Sequence, residues 1–97
     1  MLRHVVFFNW SSEATEAQKD AARAALAALP GQIGTIRRYE FGDDLGHADG
    51  NYDFALVADF DDEAGWRTYL EDPAHVAVVQ NHLRPILAGR TAVQYSV

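Results

Sequence analysis

Two stretches of this chain are rich in β-forming residues and apolar on both faces. The first, Leu2–Trp10, reads LRHVVFFNW: Leu2, Val6, Phe8 and Trp10 fall on one side with His4 among them, and Val5 and Phe7 on the other. The second, Tyr52–Phe60, sets Phe54, Leu56, Ala58 and Phe60 against Ala55 and Val57. Successive side chains of a strand point to opposite faces. A strand with one wet face therefore alternates apolar with polar, and these two do not, so each is expected to be covered on both sides. The sheet that holds them needs two covers.

The rest of the chain supplies material for one. TEAQKDAARAALAALPG opens with Thr15 three residues before Gln18, the spacing of a capping box. Its alanines favour helix, Ala22, Leu26 and Leu29 form an inward stripe, and Pro30 with Gly31 ends it. A strand follows from about Thr35 to Phe41, then the polar loop GDDLGHADGN. After Tyr52–Phe60, Asp61 and Asp62 are caps for a helix carrying Trp66, Tyr69 and Leu70 on one face. It stops at Asp72. Pro73 suits the first position of a new helix with Asp72 as its cap, and Val76, Val79 and Leu83 give that helix an apolar stripe as far as Pro85. RTAVQYSV reads as a last strand.

The order is β, α, β, β, α, β, with the second helix broken. This predicts an α+β fold of the ferredoxin-like βαββαβ type, a four-stranded antiparallel sheet with its helices on one face. With 97 residues and no linker, the chain reads as a single domain, 1–97. Two helices leave the other sheet face bare, and the simplest cover is a second copy. The expected assembly is a homodimer through the sheet face and the C-terminal strand, a dimeric α+β barrel.

Charge and composition remove several functions. Lys and Arg number 8 against 14 Asp and Glu, for a net charge of −6, and no basic and aromatic residues interleave, so no nucleic-acid partner is expected. No apolar run is long enough to span a membrane. The opening MLRHVVFFNW lacks a basic leader and cleavage site, which makes the cytoplasm the expected location. Without cysteine there is no disulfide, thiolate nucleophile or sulfur-bound metal. Asp43, Asp44 and Asp49 lack the ligand alternation of a calcium loop, no pair of histidines or carboxylates stands out at helical metal-binding spacing, and no glycine-rich phosphate loop follows a strand. No metal and no cofactor are expected.

The element YLEDPAH carries the chemistry. With Asp72 as cap and Pro73 as first helical residue, His75 is the third, beside unpaired backbone N–H groups and the positive helix end, where a neutral imidazole is favoured. A neutral histidine can take a proton from a carbon beside a carbonyl, and a tyrosine hydroxyl can hold the resulting oxyanion. Tyr69 is six residues away. A continuous helix would point it elsewhere, and the break at Pro73 lets the two converge. The alternative reading has His75 satisfying local backbone groups and Tyr69 packed in the core. His4, on an apolar strand face, is either a hydrogen-bonded core residue or a pocket residue. His82 shares the side of His75 but reads as partly exposed, and His47 lies in the loop.

The strand RHVVFFNW, the helix opening TEAQK, the segment YDFALVADFDDEAGWRTYLEDPAHVAVV and the terminal VQY together resemble the stress-responsive α/β-barrel (Dabb) family over nearly the whole chain. Most such proteins share the fold without an assigned reaction. A catalytic relative is the plant polyketide cyclase that forms olivetolic acid by aldol condensation without a cofactor. The resemblance implies that the tyrosine and histidine of Y..DPAH, here Tyr69 and His75, are catalytic, and that His4 lines the pocket. A further pocket histidine of the cyclase falls where this chain has Phe54, so the resemblance does not carry over the same substrate and reaction. Phe54 and Val79 complete the expected ligand-binding set around a small apolar organic ligand. Cofactor-free monooxygenases of the same barrel architecture form a third class, with Trp10 and Trp66 as candidates by residue type. The non-enzymatic alternative is a stress-related binding or structural module.

Overall fold

The computed structural model describes residues Met1–Val97. Its elements are β1 (Leu2–Trp10), α1 (Glu16–Ala28), β2 (Ile36–Asp43), β3 (Phe54–Phe60), α2 (Glu63–Glu71), α3 (Pro73–Val78) and β4 (Leu87–Ser96). The strands form one sheet in the order β2-β3-β1-β4, antiparallel at every pairing. That is the ferredoxin-like arrangement. No helix is long and apolar enough to cross a membrane.

The capping box of α1 forms as the spacing predicts. The Gln18 amide donates to Thr15 Oγ1 at 3.1 Å, and the Thr15 amide donates to Gln18 Oε1 at 2.9 Å. Ala22, Leu26 and Leu29 are buried against the sheet. A short 3₁₀ turn at Leu29–Gly31 closes the helix.

Strand register fixes which residues face the helices. His4 lies opposite Ala58 on β3 and Gln94 on β4, and Phe8 opposite Phe54 and Arg90. Val6, Phe8, Phe54, Leu56, Ala58 and Phe60 are all buried with the inner helix residues in one core. The intervening residues, among them Val5, Phe7, Ala55, Val57 and Val93, share the opposite face.

The break between α2 and α3 forms at Asp72, whose backbone is extended (φ −62°, ψ 132°) and whose Oδ1 accepts from the Ala74 amide at 2.8 Å. Beyond it the structure departs from the single helix expected up to Pro85. Regular α-helix ends at Val78, one wider π-type turn covers Val79–Leu83, and a 3₁₀ turn covers Arg84–Ile86. Pro85 lacks an amide and its ring crowds the preceding turn, so the ladder loosens before it. The shift changes the inward stripe: Val78 is buried, and Val76 is 36% exposed. The last strand starts at Leu87 rather than Arg90, and Arg90 pairs with Phe8 of β1.

Candidate functional site

Between the helices and the β1–β4 half of the sheet lies a cavity of about 300 Å³, partly open to solvent. His4, Tyr69, His75 and Val79 of the expected set line it, together with Arg84 and Arg90. Leu26, Leu56 and Leu83 form part of its apolar wall. Phe54 does not. It is buried in an aromatic cluster, stacked on Phe8 and Phe41 with ring centroids 5.8 and 5.6 Å away. Phe54 therefore lies outside this cavity, on the far side of Phe8 from β4. Trp10 packs against the same cluster, and neither Trp10 nor Trp66 lines the cavity.

Tyr69 and His75 are neighbours because the chain breaks between them. Their ring centroids are 4.2 Å apart. His75 Nδ1 lies 3.3 Å from the Leu70 carbonyl oxygen, a long hydrogen bond. A carbonyl only accepts, so this bond places the proton on Nδ1 and leaves Nε2 with the basic lone pair. The pKa of His75 is lowered, chiefly by burial, with the Leu70 bond opposing and the positive charge of Arg90 adding to the shift. Burial is the largest of the causes that favour the neutral imidazole.

Tyr69 is buried, and its hydroxyl oxygen is 2.9 Å from that of Tyr39. Burial pushes its pKa up to about 12, partly offset by the bond to Tyr39 and by Arg90. At neutral pH it is a proton donor. With the Tyr39 O–H donating to Tyr69, the Tyr69 proton is free for another acceptor.

His4 occupies the floor. Gln94 Nε2 lies 2.8 Å from its Nδ1. An amide NH₂ only donates, so Nδ1 accepts and the His4 proton sits on Nε2. Burial, then the charges of Arg90 and His75, lower its pKa to about 4. The two histidines thus hold opposite tautomers, one with a basic Nε2 and one with an Nε2–H donor. His82 is half-buried outside the cavity and His47 is exposed in the loop. No group of three or more His, Cys, Asp or Glu side chains is arranged to hold a metal ion.

The sequence profile of the stress-responsive A/B barrel domain matches residues 2–97. The chain belongs to the Dabb family. A dimeric ferredoxin-like protein of unknown function from Thermobifida fusca is 44% identical, with a TM-score of 0.91, over 99% of this chain and 90% of that one. An uncharacterized protein of Streptomyces coelicolor is 36% identical over 81% of this chain and 84% of its own length. The hydroxynitrile lyase of Passiflora edulis is 22% identical, with a TM-score of 0.87, over 99% of this chain and 92% of that one, a likeness of fold.

Within this Dabb domain, Tyr39, Gln94, Arg84 and Arg90 join the site without having been singled out from sequence. Tyr39 shares alternation with Phe41 in IRRYEFGD and stands between the charged Arg38 and Glu40, a mark of an inward position. Arg90 shares alternation with Ala92 and Gln94, which becomes meaningful once β4 is registered on β1.

Proposed function

We propose that this Dabb domain binds a small organic molecule in the His75 cavity and acts on it as a cofactor-independent lyase or cyclase by proton abstraction. The observation that carries this reading is the pairing of a neutral, half-buried imidazole with a neutral, buried tyrosine, rings 4.2 Å apart, on the wall of one partly open cavity. His75 Nε2 is the base. The Tyr69 hydroxyl, polarised by Tyr39, donates to the oxygen on which negative charge develops, and the His4 Nε2–H is a second donor on the same floor. The surrounding leucines and valine limit water, which strengthens each of these interactions.

The working unit in this reading is a homodimer, joined through the open sheet face and the C-terminal strand. Val93 and Tyr95 of β4 are 55% and 46% exposed in the single chain, and the similar Thermobifida fusca protein is described as dimeric.

The test is deuterium incorporation beside the carbonyl of phenylacetone in D₂O, followed by NMR, together with release of benzaldehyde from mandelonitrile. Wild type should accelerate at least one of them. His75→Ala should abolish the effect with folding intact, and Tyr69→Phe should reduce it about a hundredfold, the usual cost of one oxyanion donor. Neither reaction accelerated, or equal rates in wild type and His75→Ala, would leave the binding-module reading in its place.

A further inference from the structure

We infer that the ligand of this cavity is an organic carboxylate, its acid group held between Arg84 and Arg90 and its apolar body against the leucine wall. The inference rests on the cavity being the functional site, and it names the class of molecule that enters. Its basis is the distribution of charge. The chain has 8 basic side chains among 14 acidic ones, so carboxylates are plentiful. Arg3, Lys19, Arg23, Arg37, Arg38 and Arg67 each sit 2.7 to 3.3 Å from an Asp or Glu oxygen. Arg84 and Arg90 are the remaining two, and neither has an ion pair or a side-chain hydrogen bond within the chain. Both line the same cavity, and no acidic residue lines it with them.

An acidic protein thus keeps its two uncompensated guanidinium groups at the mouth of one largely apolar pocket. A guanidinium presents parallel N–H donors that fit a carboxylate at both oxygens. Arg90 also lies close enough to His4, Tyr69 and His75 to bias the titration of all three, so its charge acts inside the cavity. A phosphate is the less suitable anion. Phosphate sites commonly add backbone N–H groups from glycine turns, and the two left-handed glycines, Gly46 and Gly50, belong to the loop before β3, away from this lining. At about 300 Å³ the space is at the low end for small-molecule pockets, suited to a single-ring or short-chain acid.

The experiment compares 3-phenylpropionate with its near-isostere 3-phenylpropanamide and with phenyl phosphate, each titrated into the whole protein and followed through the NMR signals of His75 and Tyr69. The carboxylate should bind about tenfold or more tightly than the amide, a charge-assisted preference. Added salt should reduce that preference, and Arg84→Gln with Arg90→Gln should remove it. Both arginines are exposed, so these variants should keep the wild-type melting temperature. Equal binding of acid and amide overturns the carboxylate assignment and leaves the pocket reading intact. A preference for phenyl phosphate overturns the choice of anion. An acid preference that survives both substitutions overturns the role of the arginines. Failure of all three probes to move His75 or Tyr69 overturns the pocket reading and the inference with it.

Discussion

The two faces of the single sheet use the same strands and opposite logic. On the covered face, apolar residues are packed and the exceptions are polar groups: His4, Tyr39, Gln94 and Arg90 project from the strands toward the helix side, where Tyr69 and His75 meet them. On the open face, Val5, Phe7, Val57 and Val93 stand without a cover, and the charged residues beside them pair with one another, Arg38 with Glu40 and Arg3 with Asp59. Arg3 donates through Nε and an NH₂ to the two oxygens of Asp59, at 2.8 and 2.9 Å, and this bond holds the Asp59 carboxyl below its ordinary pKa. A polar group enclosed within an apolar layer has its protonation and tautomer set by its neighbours, which suits it to chemistry. An apolar group left outside a core is suited to an interface. In the proposed reading, the burial pattern divides the sheet into a site and an assembly surface.

The largest effect that separates the faces is in packing. Phe54→Ala, inside the covered layer, should lower unfolding free energy by about 3–5 kcal/mol in denaturant titrations. Phe7→Ala, on the open face, should cost well under half as much at concentrations where the chain is monomeric. Equal costs would mean that both faces are equally enclosed within one chain.

Next comes the acid sensitivity of the covered face. His4 has an ordinary pKa of 6.5 and a folded value of about 4, so between these the unfolded chain binds a proton that the folded chain does not. Stability is therefore complete above pH 6.5 and falls as the pH drops toward 4, by roughly 3 kcal/mol for a full shift of this size. His4→Gln should flatten that part of the profile. A wild-type profile that is already flat between pH 7 and 4.5 would show that His4 is solvated, and the contrast between the faces would lose its electrostatic half.

A charge on the open face tests the assembly surface. Val93→Lys should weaken self-association about a hundredfold, or roughly 2.8 kcal/mol, through the cost of burying an unpaired cation. Sedimentation at micromolar concentration should then report the mass of one chain, with unchanged secondary structure. If Val93→Lys stays as dimeric as wild type, β4 is not at the interface. The smallest effect sharpens the site: Asp72→Ala removes the cap of α3 and should cost about 1 kcal/mol. It should also move the His75 ring resonances by loosening the turn that sets the ring beside Tyr69.

Much of this was legible in the chain. Alternation in Leu2–Trp10 and Tyr52–Phe60, the capping box at Thr15 and the Asp72–Pro73 break are local patterns. Each depends on residues within one or two turns, and each defines an element or its end. From their order the ferredoxin-like fold follows, and the break at Pro73 is why Tyr69 and His75, six apart, could be expected to meet. What sequence could not decide was which residues from distant strands and turns surround that pair. Tyr39 and Gln94 reach it through the register of β2 on β3 and of β4 on β1, and Arg90 joins them because that register sets it opposite Phe8. Phe54 had the right strand and the right face, yet it lies across Phe8 from β4 and the cavity, where Phe8, Trp10 and Phe41 pack around it. Local spacing determines elements and caps because those interactions are short in sequence. The membership of the cavity depends on contacts across the sheet, where a shift of one residue exchanges the faces, and only the assembled fold fixes that register.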